Sequence, residues 1–251
     1  MKNLINTPIN DNCFNVFPQI QDRSVDMIFC DLPYGTTNCK WDCPLDLHFL
    51  WQHYERIIKD DGAILLYAQT PFDKVLGASN LNMLRYEWIW EKTQATGHLN
   101  AKKMPMKAHE NILVFYKKLP TYNYIKTAGH VKKVSSAKNR ATCIERRNDT
   151  DNIYNNEYAD KVKDYSSTER YPRSVITFPT DKQTSNLHKT QKPLALTEYM
   201  IKTYTNKGDL VLDNCAGSFV VAEACNNLKR DWICIEKDKD IFDRAAEGRG
   251  L

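Results

Sequence analysis

The chain has 251 residues, 42% hydrophobic and 26% charged, which excludes a disordered, collagenous or membrane-embedded polypeptide. The length allows one or two domains with a sizeable core, and no apolar run approaches the roughly 20 residues of a transmembrane helix. Net charge is only +4, but residues 97–147 carry twelve Lys and Arg against Glu110 and Glu145, leaving the rest of the chain acidic, and a basic block of that kind is the footprint of a polyanion partner. Met1-Lys2-Asn3-Leu4-Ile5-Asn6 has no apolar signal region, so a cytoplasmic location without membrane contact is expected. The eight cysteines are scattered, several within apolar runs (Cys30, Cys225, Cys234), and read as reduced thiols. Cys39, Cys43, His48 and His53 are metal-capable, but their spacing is too short for a zinc finger and the two histidines fall in an amphipathic helix, so no metal is expected.

In chain order, Val25 to Asp31 is a short apolar run ending in a polar turn, as in a buried parallel strand. Leu45 to Lys59 has helical spacing and Asp60-Asp61-Gly62 stops it. Ala63 to Tyr67 is the next strand. A helix begins at Pro71 with Thr70 as N-cap. Tyr86 to Trp90 and Ile112 to Tyr116 are strand candidates. From Thr121 to Pro172 periodicity dissolves into Lys, Asn, Thr, Tyr and Asp, the mark of a functional insertion or a partly mobile region. Ser174 to Phe178 resumes strand character. Helix Leu194 to Tyr204, strand Leu210 to Asp213, helix Ser218 to Leu228, strand Trp232 to Glu236 and helix Ile241 to Glu247 complete the chain. The alternation predicts an α/β fold, with a doubly wound, mostly parallel sheet.

Two strand ends carry chemistry. Asp213-Asn214-Cys215-Ala216-Gly217-Ser218 is a small-residue turn from strand to helix, where the backbone can approach a ligand. Glu236, with Lys237 after it, lies 23 positions on, the separation at which an acid meets ribose hydroxyls. Asp31-Leu32-Pro33-Tyr34 offers a carboxylate, a carbonyl held extended by the following Pro, and a flat ring. Such a set can grip the amino group of a stacked nucleobase.

Together these segments resemble the amino-methylating DNA methyltransferases that use S-adenosylmethionine. Asp31 to Tyr34 is similar to their catalytic Asp-Pro-Pro-Tyr signature, with Leu32 in place of the first Pro. Asp213 to Ser218 and Glu236 are similar to their cofactor motif, and His188-Lys189-Thr190-Gln191-Lys192-Pro193 to the segment preceding it. Trp90-Glu91-Lys92, Asn100 to Pro105 and His109-Glu110 are similar to segments of phage and bacterial members. The order, catalytic motif first, is that of the circularly permuted β class. Two further positions depart from the pattern: Asn214 replaces Pro, and Phe219 replaces a second Gly, the Phe either crowding the cofactor carboxylate or turning into the core.

The resemblance implies a Rossmann-like fold with an inserted target-recognition region. The expected division is residues 1–96 as catalytic half, 97–173 as insertion and 174–251 as cofactor half. It further implies catalytic Asp31, Leu32, Pro33 and Tyr34. Asp31, Asp11 (at the cofactor adenine), Lys192 (at its carboxylate), Pro193, Asp213 to Ser218, Glu236 and Lys237 are the implied cofactor contacts. Lys102, Lys103, Lys107, Lys132, Lys133, Arg140, Arg146 and Arg147 are expected on DNA. The partner implied is double-stranded DNA, in a restriction-modification setting; dimers are common in the similar β-class enzymes, and monomer and homodimer both stay open here. The expected reaction is N6 methylation of adenine; N4 methylation of cytosine, RNA or nucleoside methylation, and a silent DNA-binding protein are the alternatives.

Overall fold

The computed structural model describes residues 1–35, 43–138, 163–180 and 191–251. They fall into two units, Met1–Asn123 with Ser174–Leu251, and Tyr124–Arg173.

The larger unit is built on one eight-stranded sheet. Its strands are β1 (Pro8–Asn10), β2 (Val25–Cys30), β3 (Ile58–Ala68), β4 (Leu84–Thr96), β5 (Lys107–Phe115), β8 (Val175–Phe178), β9 (Leu210–Asp213) and β10 (Asp231–Glu236). Their order is β1-β10-β9-β2-β3-β5-β4-β8. Only β5 runs antiparallel to its neighbours. The helices are α1 (Cys13–Val16), α2 (Leu47–Ile57), α3 (Phe72–Ser79), α4 (Leu194–Tyr204), α5 (Val220–Leu228) and α6 (Lys239–Arg249).

Successive residues of a strand point to opposite faces, and the two cores follow that alternation. Ile28, Ile64, Leu66, Leu212 and Ile233 face a core shared with Phe17 after α1, with Leu50, Trp51 and Tyr54 of α2, and with Leu76 of α3. Met27, Phe29, Leu65, Val211 and Cys234 face the other, closed by Leu196 and Met200 of α4, Val221 and Cys225 of α5, and Ala245 of α6. Both faces are covered, so the central strands are apolar throughout, as parallel strands must be.

Several elements depart from the sequence reading. Helix α2 ends at Ile57, and Asp60-Asp61-Gly62 lies inside β3 rather than in a loop. Ile58 is fully buried opposite Val25, so strand pairing starts at once. At Gly62 a Cβ would come within 2.8 Å of the Asp26 carbonyl, which is why the bulged register there needs glycine. Thr70 does not cap α3: Pro71 holds the cap position, and the Thr70 hydroxyl bonds the Asp73 carboxylate at 3.2 Å. Strand β1 escaped the sequence reading because three residues are too few to show a period. Helix α5 begins at Val220 rather than Ser218, since Phe219 is left-handed (φ 55°).

The smaller unit, Tyr124–Arg173, begins later than the expected insertion at residue 97. The reason is β5: its Ile112–Phe115 segment is buried between β3 and β4 and belongs to the main sheet. Within the smaller unit β6 (Lys133–Ser135) pairs antiparallel with β7 (Tyr165–Ser167). Lys126 bonds Glu169 at 3.2 Å and lies 5.2 Å from the centre of the Tyr171 ring.

Candidate active site

Strands β2 and β9 are direct neighbours, with Met27 opposite Val211 and Ile28 opposite Leu212. From β9 the chain passes through α5 to β10 on one side; from β2 it passes through α2 to β3 on the other. The two connections diverge and leave a crevice at the strands' carboxyl ends, the switch point where open α/β sheets bind ligands. A cavity of about 820 Å3 opens there, of ligand-binding size. Asp31, Leu32, Pro33 and Tyr34 line it together with Asp213 to Ser218, Glu236 and Lys237. Segments 180 residues apart in sequence thus share one space.

On the Asp31 side the charges form a chain that is buried at Glu110 and Lys192 and partly open at Asp31. The Tyr34 hydroxyl donates to Asp31 Oδ1 at 2.8 Å, and its ring stacks on Phe72 at 4.9 Å and 25°. Lys192 Nζ lies 2.9 Å from Asp31 Oδ2 and 2.8 Å from Glu110 Oε2. Lys92 Nζ lies 2.5 Å from Glu110 Oε1. Two ammonium groups and two carboxylates make a neutral set, and buried charges persist only when paired in this way. Burial pushes the Asp31 carboxyl above its ordinary value, the Lys192 cation pulls it back, and the Glu110 anion pushes it up again. Burial also opposes ionisation of Glu110, but Lys192 and Lys92 outweigh it and hold its pKa at about 2. For Lys192 burial favours the neutral amine, and the two carboxylates overcome it and raise its pKa. The Lys192 ammonium also sits 4.8 Å from the centre of the Tyr67 ring. The Asp31 side chain stays 29% exposed, so it remains open to a ligand.

On the other side the turn after β9 is held from within. Asp213 Oδ1 accepts from the Cys215 N–H at 3.1 Å, and burial pushes the Asp213 carboxyl up to about 7. Asn214 accepts from the Tyr54 hydroxyl of α2. Glu236 Oε2 accepts from the Gly217 N–H and Oε1 from the Asp238 N–H, both at 2.8 Å. Burial raises the Glu236 pKa against those two bonds. Gly217 has φ 49°, a conformation glycine adopts without strain. Phe219 turns into the core: it is fully buried, edge-on to Phe242 at 5.7 Å, and is absent from the cavity wall.

The structure separates some residues that the sequence reading grouped. Asp11 does not line the cavity. Its Oδ1 accepts from the Asn12 N–H and from Asn15 Nδ2, which ties it to the start of α1, and Asn12 lines the wall instead. Lys192, expected at the cofactor carboxylate, is engaged by Asp31 and Glu110. Pro193 is buried off the wall, its carbonyl accepting from the Thr197 N–H and hydroxyl at the start of α4. Lys102, Lys103 and Lys107 are exposed on the larger unit, Lys132 and Lys133 on the smaller. Arg140, Arg146, Arg147 and the segment His188–Thr190 lie outside the described residues, as does Cys39. His53 packs on Phe17 at 4.9 Å. Among the described residues no three His, Cys, Asp or Glu side chains are arranged to hold a metal.

The sequence reading gave no site role to Glu110, Lys92, Tyr67, Gln69, Trp90 and Thr96, all on the wall, although Trp90-Glu91-Lys92 and His109-Glu110 stood out as family-like segments. Glu110 left two signals, as one of only two acids in the basic block and as part of the family-like segment His109-Glu110.

A family model described as DNA methylase, for N6 and N4 methyltransferases, matches residues 25–247. Type II methyltransferase M.HpaI of Haemophilus parainfluenzae is 28% identical over 95% of this chain and 72% of its own length. DNA adenine methyltransferase YhdJ of Escherichia coli K12 is 26% identical over 94% of this chain and 80% of its own. Among solved structures, M1.HpyAVI in complex with SAM superposes with a TM-score of 0.63 at 19% identity, covering 96% of this chain and 98% of that one. The cytosine-N4-specific PvuII DNA methyltransferase gives 0.67 at 13% identity, covering 98% and 86%. With Asp31–Tyr34 and Asp213–Ser218 meeting at one switch point of a Rossmann-like methyltransferase sheet, the chain belongs to the N6/N4 DNA methylase family and is a DNA methyltransferase.

Proposed function

We propose that the protein transfers a methyl group from S-adenosylmethionine to the N6 amine of an adenine flipped out of duplex DNA. The observation that carries this reading is the pairing of β2 with β9, which opens Asp31–Tyr34 and Asp213–Ser218 into one cavity. The wall fits the cofactor. Each Glu236 oxygen holds one backbone N–H, and a carboxylate has about four lone-pair sites, so acceptor capacity remains for ribose hydroxyls. The Asp213–Ser218 turn, with Phe219 withdrawn, is free of bulky side chains. When bound, the cofactor supplies an electrophilic methyl carbon on sulfur.

The chain's own residues prepare the amine. Its nitrogen lone pair is delocalised into the base ring. Asp31 and the Leu32 carbonyl accept its two N–H bonds and favour a tetrahedral nitrogen whose lone pair points at the methyl. These acceptors stand where positive charge develops, the form of stabilisation worth most in a water-poor site. As the N–C bond forms, the bond from the methyl carbon to sulfur breaks and the nitrogen becomes cationic; one N–H proton then leaves it, so Asp31 need not be a strong base. Tyr34, backed by Phe72, offers a ring for the extruded base to stack on. Extrusion is needed because a stacked, paired base cannot reach such a cavity. The resemblance leans toward adenine, since cytosine enzymes of similar type commonly carry Ser where this chain has Asp31.

The test is nucleoside analysis of DNA from a host expressing the chain. N6-methyladenine is expected; N4-methylcytosine in its place overturns the base assignment while sparing the mechanism. Asp31→Ala should abolish transfer and keep cofactor-dependent thermal stabilisation. Activity near that of the unaltered protein would refute the role of Asp31.

A further inference from the structure

The β4–β5 hairpin projects beyond the sheet and ends in the turn 97–106. Leu99 at its tip is 97% exposed, Met104 54% and Met106 36%. A single exposed leucine is unremarkable. Three apolar side chains on one ten-residue turn are not, when Lys102 and Lys103 lie between them, Lys107 follows, and no acid occurs from Gly97 to His109. The turn is built rather than loose. Gly97 is left-handed (φ 90°), Asn100 N–H donates to the Gly97 carbonyl at 2.9 Å, and the N–H groups of Lys103 and Met104 donate to the Asn100 carbonyl at 2.9 and 3.0 Å. It also adjoins the cavity. Thr96, three residues before Leu99, lines the wall, and Lys107 Nζ bonds Gln69, another wall residue, at 3.0 Å. Three residues of extended chain span at most about 10 Å, so the tip stays within about that distance of the cavity wall at Thr96.

We propose that Leu99 is an apolar wedge that enters the duplex beside the target base and fills the gap the flipped base leaves, with Lys102 and Lys103 on the flanking phosphates. This rests on the DNA-methylation reading above. Apolar side chains inserted at a base step unstack it and offset the cost of distortion, while lysines fix the protein on the backbone without reading sequence. The density of positive charge around the tip selects a polyanion as occupant, rather than a second copy of this chain or another protein.

The experiment compares the unaltered protein with Leu99→Ala and Leu99→Phe. The substrates are a duplex carrying the site found by modified-base sequencing, and the same duplex with the base opposite the target removed. Leu99→Ala should lower kcat/KM on the paired duplex by on the order of tenfold or more, because the flip must then proceed without the wedge. On the duplex lacking the opposite base, where pairing no longer resists extrusion, it should work nearly as well as the unaltered protein. Leu99→Phe, which keeps an apolar wedge, should stay active on both. Equal loss on the two duplexes overturns the proposal, as does no loss on either. A change in sedimentation of Leu99→Ala with unchanged methylation would instead assign the tip to contact between copies, and also overturns it. If the unaltered protein methylates neither duplex, the functional reading fails before the wedge is tested.

Discussion

Replacing Lys192 with Met keeps the length of the side chain and removes its charge, which isolates the electrostatic part of the Asp31 environment. The ammonium stands 2.9 Å from Asp31 Oδ2. At an effective dielectric near 20 that separation corresponds to a gross attraction of about 6 kcal/mol. Glu110 shares the same ammonium at 2.8 Å, and Asp31 is 29% exposed, so the realised effect is smaller. An opposite charge at this range ordinarily holds a carboxyl down by about 1–3 pH units. The carboxylate must be ionised to accept the amine, so activity falls as pH drops through the Asp31 pKa. Removing the cation raises that pKa further above its ordinary value, and the acidic limb of kcat/KM should move to higher pH by about 1–3 units. Glu110→Gln removes an anion that pushes the Asp31 carboxyl up, so its acidic limb should move the opposite way. The assay is methyl transfer to duplex DNA across pH, with saturating cofactor and cofactor binding measured separately. An unmoved limb in an active Lys192→Met enzyme, or limbs that move in the same direction, would refute the charge chain. Loss of cofactor binding alone would return Lys192 to the cofactor carboxylate.

Three other outcomes are expected. Glu236→Gln should leave the Tm of the free protein within a few degrees and remove most of the cofactor-induced stabilisation, which for intact binding at a hundredfold excess over Kd is about 2.7 kcal/mol; an unchanged shift on cofactor addition would detach Glu236 from that site. Leu212→Ala, at a fully buried position of β9, should cost about 2–5 kcal/mol in urea unfolding, and a loss under 1 kcal/mol would mean that the core there repacks freely. Duplex affinity should fall steeply as salt rises, because Lys102 and Lys103 displace counterions; neutralising both should flatten the slope, and an unchanged slope would remove the hairpin from the DNA interface.

Much of the fold was legible in residue order because the sheet is covered on both sides. Runs such as Met27-Ile28-Phe29-Cys30 and Leu210-Val211-Leu212 have to be apolar without interruption, and the helices between them have to carry one apolar stripe. The two ligand-facing turns were legible for a related reason: Pro33 and Gly217 are backbone requirements written into residue type. Boundaries were less legible where tertiary pairing overruled local signals. Ile58 enters β3 despite the Asp60-Asp61-Gly62 sequence because its side chain is buried opposite Val25, and β5 joins the main sheet although it lies within a basic block.

By itself, then, the sequence determined the alternation of strands and helices, the covered parallel sheet, and the two chemistry-bearing strand ends, because periodicity and turn chemistry act over a few residues. Only the tertiary structure decided that β2 and β9 lie side by side, that Glu110 and Lys92 reach Asp31 through Lys192, that Asp11 turns away to the start of α1, and that Phe219 leaves the cavity for the core. Those are contacts between groups up to 180 residues apart, and they are selected by burial and charge pairing once the sheet has closed around them.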